Sequence, residues 1–233
     1  HSNRMMANML VVFSMLNDID VSYKTIERLY SDPEVALAIH NLHVVMLKKK
    51  GITHADTSGD GTGYSLTVSK HYSSVVQKRH DKAKEIKYGE NQLRREFVYK
   101  FALLDLNTFM YIAYGASLKS EKEAFEKAME MLDSLDITID SVRLDKYYSY
   151  PVYVDRFEDA KVYIIPKANS TIKGSQKWKN TLKEFLKDTE TYLQEYYRRE
   201  SSEAAFSADK RRFGWTIEQR LTGRIYCAAS CIA

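Results

Sequence analysis

The chain has 233 residues, which is enough for one large domain or two small ones. Hydrophobic residues make up 44% and charged residues 28%, as in ordinary globular proteins. No apolar run reaches the roughly 18 residues of a membrane-spanning helix, and no signal peptide is visible. The net charge of +4 permits nucleic-acid binding without demanding it. Two cysteines, Cys227 and Cys231, give no disulfide framework, so we expect a reducing cytoplasm.

The first part of the chain, residues 1–49, shows helical periodicity without strand signals. Residues 5–17 are apolar over the length of a helix, Ser22 can cap a second helix, and Ser31 or Asp32 can cap a third. Two helices joined by a short turn resemble a helix-turn-helix, but such pairs occur in any helical bundle. DNA binding and plain packing both stay open for this region.

A run of lysines followed by Gly51 marks a boundary in the chain. We predict a helical N-terminal lobe at 1–49 and a second domain at 50–233. The chain begins at His1 without an initiator methionine and stops at CAASCIA, within an apolar helical run. We therefore expect incomplete elements at both ends.

After the boundary, β-branched and aromatic residues alternate with small or polar ones, which predicts strands. In an extended chain, one strand face would carry His54, Asp56, Ser58, Asp60 and Thr62. Polar groups on a buried face need partners or a metal, because burying an unpaired charge is costly. The alternative is a glycine-rich turn with solvated aspartates.

The next elements are predicted in chain order. Residues 76–96 are dense in charge and indicate a solvated excursion whose basic residues could contact phosphates. Two apolar strands follow around a turn at Asp105. Ser120 and Glu123 form a capping box for a helix. A strand then ends at Asp145, at the kind of position where α/β folds carry reacting groups.

After a buried strand ended by Pro166, the pattern is helical as far as Gly214, and a final helix begins after it. Core packing is the favoured role of Trp178 in this stretch. One helical face carries four polar residues at steps of three, four and seven: Tyr196, Arg199, Glu203 and Lys210. Because this stripe is not apolar, core packing does not explain it; a solvated face with an Arg199–Glu203 pair is the alternative.

The spacing Y-(2)-R-(3)-E-(6)-K of this stripe resembles that of a group of DDE transposases of bacterial and archaeal insertion sequences. DGTGY, starting at Asp60, resembles the first catalytic motif of this family, with Asp56 as the rival acid. LDKYYS, around Asp145, resembles the second motif, although Tyr147 stands where glycine is usual. The resemblance covers roughly residues 50–220. It implies a ribonuclease H-like α/β fold, with a mixed five-stranded sheet flanked by helices.

The resemblance also implies a function, which is cleavage of DNA at transposon ends and strand transfer to target DNA. The implied catalytic residues and metal ligands are Asp60, Asp145 and Glu203, which would hold two divalent cations, Mg²⁺ or Mn²⁺. The implied DNA-binding residues are Tyr196, Arg199 and Lys210. We expect a homodimer when the protein acts on DNA, in the cytoplasm and at the nucleoid of a prokaryotic cell.

Three alternatives stay open. The chain could be a nuclease of the same fold that joins no DNA. It could be a domesticated DNA-binding relative without catalysis, although retention of all three acids argues against this. It could also be a helical interaction protein in which the acid positions are coincidence.

Overall fold

The computed structural model describes residues 3–66, 97–219 and 221–232. The N-terminal region consists of three helices, α1 (Asn3–Asn17), α2 (Tyr23–Leu29) and α3 (Pro33–Lys49). The side chains of Ser22 and Asp32 accept hydrogen bonds from backbone N–H groups at the starts of α2 and α3. The predicted cap at Ser22 is confirmed, and of the two candidates for the next helix, Ser31 and Asp32, the structure uses Asp32. The charge-dense segment 76–96 lies outside the described residues.

A mixed sheet forms the centre of the structure. Its strands are β1 (His54–Leu66), β2 (Phe97–Asp105), β3 (Tyr111–Ser117), β4 (Thr138–Leu144), β5 (Lys161–Tyr163) and β6 (Thr216–Ile217). The order is β3-β2-β1-β4-β5, and β6 pairs with the end of β1. Strands β1, β2 and β3 are antiparallel neighbours, whereas β4 runs parallel to both β1 and β5. The predicted α/β class and mixed sheet are confirmed.

Strand β6 was not predicted from the sequence, which indicated a helix directly after Gly214. Thr216 and Ile217 instead pair in parallel with the last two residues of β1. The reason is that β1 is 13 residues long, so its end presents backbone hydrogen-bonding groups that a neighbouring segment can satisfy. The final helix begins only at Thr222.

Helices cover both faces of the sheet. They are α4 (Glu121–Asp133), α5 (Pro151–Val154), α6 (Gln176–Lys187), α7 (Thr189–Tyr197), α8 (Glu200–Phe213) and α9 (Thr222–Cys231). The N-cap of α4 is Ser120, which accepts the N–H of Glu123 as predicted. The long helical pattern after residue 175 is broken twice, at Asp188 and at the junction of Arg198 and Arg199.

The largest core cluster lies between the sheet and α4, where Phe101 and Phe125 meet at 4.9 Å between ring centroids. Trp178 is 2% exposed within this cluster, so its predicted core role is confirmed. Leu47 of α3 is buried in the same cluster, so α3 packs on the sheet. On the other face, Phe206 of α8 packs against β2 and β3.

No described helix is both long and apolar enough to cross a bilayer. Helices alone make up the described part of residues 3–49, and the division into two domains stays a prediction.

Gly115 of β3 supports a close approach between α4 and the sheet. A Cβ atom at this position would lie 2.6 Å from the backbone nitrogen of Ala128 and closer still to the carbonyl of Ala124. We predict that Gly115→Ala lowers the free energy of unfolding by about 3 kcal/mol. The atoms that the added methyl group would meet belong to the backbone of α4, and a helix backbone moves aside less easily than a flexible side chain does. Urea denaturation measures this change.

The matched control is Gly223→Ala in α9, where an added Cβ meets nothing within 4 Å. We expect this change to be neutral, or stabilising by up to about 1 kcal/mol, from helix propensity. Equal effects of the two substitutions would contradict the packing account.

Candidate active site

The guanidinium group of Arg199 lies at the centre of the site. Its Nη2 is 2.8 Å from Oδ2 of Asp145 and 2.9 Å from Oε1 of Glu203. Its Nη1 is 3.8 Å from Oδ2 of Asp60. The Arg199 side chain is only 13% exposed. One cation thus brings together carboxylates from β1, from the end of β4 and from α8.

Asp60 lies within β1, and its side chain points towards α8. Its Oδ1 accepts the N–H of Gly61 at 2.8 Å. Burial raises the pKa of Asp60 to about 6, although the charge of Arg199 works in the opposite direction. The carboxylates of Asp145 and Glu203 raise this pKa further, since like charges repel. The surroundings of Asp60 therefore oppose its ionisation, and a further cation nearby would favour its charged form.

Asp145 follows β4 directly and caps a short 3₁₀ turn (Lys146–Tyr148). Its Oδ1 accepts the N–H of Tyr147 at 2.7 Å, so one oxygen is fixed by the turn and Oδ2 is left for Arg199. The resemblance described above would place glycine at position 147, and here the amide of Tyr147 serves this cap. The Tyr147 side chain is 46% exposed.

Glu203 and Tyr196 differ sharply in exposure. The Glu203 side chain is 58% exposed and is held through Arg199. Tyr196 is 5% exposed, and its hydroxyl oxygen accepts a hydrogen bond from Nε of Arg199 at 3.2 Å. Burial raises the pKa of Tyr196 to about 12, so the phenol stays protonated. Tyr196 supports Arg199 from behind, and a direct contact of Tyr196 with DNA stays a prediction.

Lys210 lies two turns beyond Glu203, and within the described part of the chain it forms no ion pair with the three acids. Its Nζ is 4.8 Å from the ring centroid of Trp215 and 5.7 Å from that of Tyr64. Partial burial lowers the pKa of Lys210. The four residues of the helical stripe therefore divide, with Lys210 held at a separate place from Arg199 and Glu203.

Asp56, the rival first acid, contacts a different set of partners. Its carboxylate accepts hydrogen bonds from Ser141 and Arg143 and lies 2.8 Å from Nη1 of Arg198. Although burial acts in the other direction, the hydrogen bonds from Ser141 and Arg143 lower the pKa of Asp56 below its usual value. The structure brings Asp60, not Asp56, to Arg199 beside Asp145 and Glu203.

The donor set can be compared with the needs of a metal. Within the described ranges, no group of three or more His, Cys, Asp or Glu side chains is arranged as a ready-made metal site. The guanidinium of Arg199 instead links the three carboxylates. Carboxylate oxygens are the ligands that Mg²⁺ prefers, and these three already attract one cation. The residues fit divalent cations in their chemistry, provided that Arg199 turns away.

Sequence reasoning missed two supporting contacts. Ser58 and Ser202 are buried, and their hydroxyl oxygens are 3.0 Å apart where β1 meets α8. Arg143 is 1% exposed in the otherwise apolar end of β4. The available signals were a small polar residue on the face that carries Asp60, and a charged residue in a buried strand.

One comparison with known proteins found a similar sequence. The chain is 44% identical over 224 residues to a protein of Archaeoglobus fulgidus described as "Probable transposase for insertion sequence element ISA1214". The match covers 96% of this chain and 65% of that protein, so the chain spans less than two thirds of the length of its relative. No protein-family model matches the sequence, and no solved structure matches it either.

The raised pKa of Asp60 gives a prediction about stability. The pKa of Asp60 is about 6 in the folded protein and lower in the unfolded chain. As the pH rises between these two pKa values, Asp60 ionises more readily in the unfolded chain, so its charge increasingly destabilises the fold. Without metal, Asp60→Asn should therefore gain stability relative to wild type between pH 4 and pH 7, by roughly 2 kcal/mol. Urea denaturation at the two pH values measures this gain.

Asp133→Asn serves as the control, because its side chain is 63% exposed. Its stability relative to wild type should change far less over the same interval, since exposed charges are screened. If Asp60→Asn changes the free energy of unfolding by the same amount at both pH values, the charge of Asp60 does not destabilise the fold.

Proposed function

We propose that this chain is the catalytic part of an insertion-sequence DNA transposase of the DDE type, with a ribonuclease H-like fold. The observation that carries the proposal is that Asp60, Asp145 and Glu203 all contact the guanidinium group of Arg199. These are the three acids that match the motifs of that family, and they come from separate parts of the chain. The similarity to the archaeal transposase supports the same function.

The sheet topology supports the proposed fold. Strand β1 has an antiparallel neighbour on one side and a parallel neighbour on the other. Asp60 lies on this central strand, and Asp145 lies at the carboxyl end of the parallel neighbour β4. Such ends are where α/β sheets place reacting groups. The third acid, Glu203, reaches the same point from α8, which packs against β1.

The proposed chemistry is the hydrolysis of a phosphodiester followed by strand transfer. Two divalent cations, Mg²⁺ or Mn²⁺, held by the three carboxylates would supply an activated water and a stabilised leaving oxygen. Asp60, Asp145 and Glu203 are the residues that would hold these ions. The 3′-hydroxyl freed by the first step would then attack a phosphorus of target DNA, forming a new phosphodiester bond while the bond from that phosphorus to the 3′-oxygen of the target strand breaks.

The chain's own residues have distinct tasks in this proposal. Asp145 presents Oδ2 while the amide of Tyr147 keeps Oδ1 in place. Exposed Glu203 can reorient, because Arg199 is the group that holds it. Once Arg199 releases the acids, its guanidinium can bind phosphate oxygens in a bidentate manner. Lys210 would bind a second phosphate, and Tyr196 would keep Arg199 oriented.

The proposed partners are transposon ends and target DNA. Because an element has two ends to be cut and joined, we include in the proposal a homodimer on DNA, with one active site for each end. A nuclease of the same fold would cut the end without joining it. An assay with a labelled end and a plasmid target distinguishes the two functions by the presence of joined product.

Glu203→Gln tests the metal role in the complete protein with its cognate DNA end. We expect loss of Mg²⁺-dependent cleavage by at least about 100-fold, because a charged ligand is removed. The affinity for a pre-cut end, measured in Ca²⁺ by fluorescence anisotropy, should change less than about threefold. Loss of end binding comparable to the loss of cleavage would contradict a metal role for Glu203.

Lys210→Ala tests the phosphate role. If Lys210 binds a phosphate, its loss should weaken binding of the pre-cut end and reduce the log–log salt slope by about 0.9. Anisotropy titrations at several salt concentrations measure this slope. An unchanged slope would mean that Lys210 serves only to pack against Tyr64 and Trp215.

A further inference from the structure

A second ion network lies beside the candidate active site and uses residues one position earlier on the same helical segment. Glu195 precedes Tyr196, and Arg198 precedes Arg199. Nη1 of Arg198 is 2.8 Å from Oδ2 of Asp56 and 3.0 Å from Oε2 of Glu195. The junction between α7 and α8 therefore presents two adjacent arginines to two different acid clusters.

Arg143 of β4 is the buried member of this network. Its Nη2 lies 2.5 Å from Oε2 of Glu195, and its Nε donates to the carbonyl oxygen of Glu195 at 3.0 Å. Its Nη1 contacts the carboxylate of Asp56. Arg143 thus binds the last turn of α7 through both a side chain and the backbone, and it links this turn to β1.

The contacts repeat along one face of β1. Asp56 contacts Arg198, Ser58 contacts Ser202, and Asp60 contacts Arg199. The serine hydroxyl at Ser202 also donates to the carbonyl oxygen of Arg199 at 2.7 Å. The register of the α7–α8 junction on β1 is fixed by these contacts, and it determines where Arg199 and Glu203 lie relative to Asp60.

The energetics favour a role in placement over one in stability. Burying Arg143 costs solvation free energy that its ion pairs largely offset, so buried pairs add little net stability. Their geometry is nevertheless specific, because a misplaced partner would leave a charged guanidinium unpaired in the interior. The network therefore raises the free energy of arrangements in which the α7–α8 junction lies elsewhere on β1.

Resting on the function proposed above, we propose that Asp56, Arg143, Glu195 and Arg198 are positioning residues for the reaction. They hold the α7–α8 junction so that Arg199 and Glu203 meet Asp60 and Asp145. In this assignment Asp56 is no metal ligand, because it contacts Ser141, Arg143 and Arg198 and lies outside the set of acids that contact Arg199.

Arg198→Gln is the main test, because Arg198 is 41% exposed and the fold does not depend on its burial. In the complete protein we expect the cleavage rate of a bound transposon end to fall about tenfold. The Kd for that end should change less than about twofold. Arg198→Lys should recover most of the rate, because Nη1 alone makes both contacts and an ammonium can replace it.

A Kd that rises along with the lost rate would make Arg198 a DNA contact and overturn the proposal. An unchanged rate, or no recovery by lysine, would overturn it as well.

Metal binding gives a readout that does not depend on cleavage. Calorimetric titration with Mn²⁺ should show the same number of sites in Asp56→Asn as in wild type, with affinity lowered severalfold. Asp60→Asn is the matched comparison on the same strand and should lose a site. Loss of a site in Asp56→Asn would make Asp56 a ligand and overturn the proposal, and so would unchanged affinity.

Failure of the proposed function has a different signature, in which the wild type neither binds Mn²⁺ nor cuts DNA. The positioning role is then decided by unfolding measurements on Asp56→Asn, Glu203→Gln and the double variant. If the network places Arg199 against Glu203, the two substitutions should be coupled. The change in the unfolding equilibrium constant of the double variant should then differ by at least about threefold from the product of the changes in the two single variants. Independent effects would overturn the inference.

Discussion

The contact on which the site depends is the guanidinium of Arg199 against three carboxylates. If Asp60, Asp145 and Glu203 were all ionised and Arg199 did not lie between them, their negative charges would repel one another. The cation also comes from the chain itself, and it is placed there by the break between α7 and α8. At this break Arg198 and Arg199 both keep helical torsion angles, so Arg199 remains one helical turn before Glu203.

This arrangement requires that α8 lie close to the sheet. Small side chains permit the approach, since Ser58 and Ser202 meet through hydroxyl groups only 3.0 Å apart. The opposite face of the sheet is packed by α4, with Gly115 at the closest point. Strand β1 pairs with β2 on one side and β4 on the other, so the sheet sets the position of Asp60.

Much of this arrangement follows from local sequence. Asp60 on a strand, Asp145 at a strand end and Glu203 on a helix could be predicted, because alternation, capping and helical spacing are short-range signals. The caps at Ser22, Asp32 and Ser120 depend on neighbouring residues and were predicted for the same reason. The mixed sheet followed from the order of the elements together with the resemblance to a known family.

The remaining features depend on contacts between distant parts of the chain. The periodicity of one long helix is the same as that of two helices with a short break, so the α7–α8 junction was not visible. The pairing of Asp56 with Arg143 joins different strands, and no spacing in the sequence predicts it. Strand β6 forms because the end of β1 offers it a partner, which a window around Thr216 cannot reveal.

The most direct test of the account is the anomalous scattering of Mn²⁺ in crystals of the complete protein. The account predicts two manganese ions about 3.5–4 Å apart among Asp60, Asp145 and Glu203, with Arg199 turned away from the carboxylates. Manganese bound elsewhere, with the Arg199 contacts to the three acids unchanged, would contradict it.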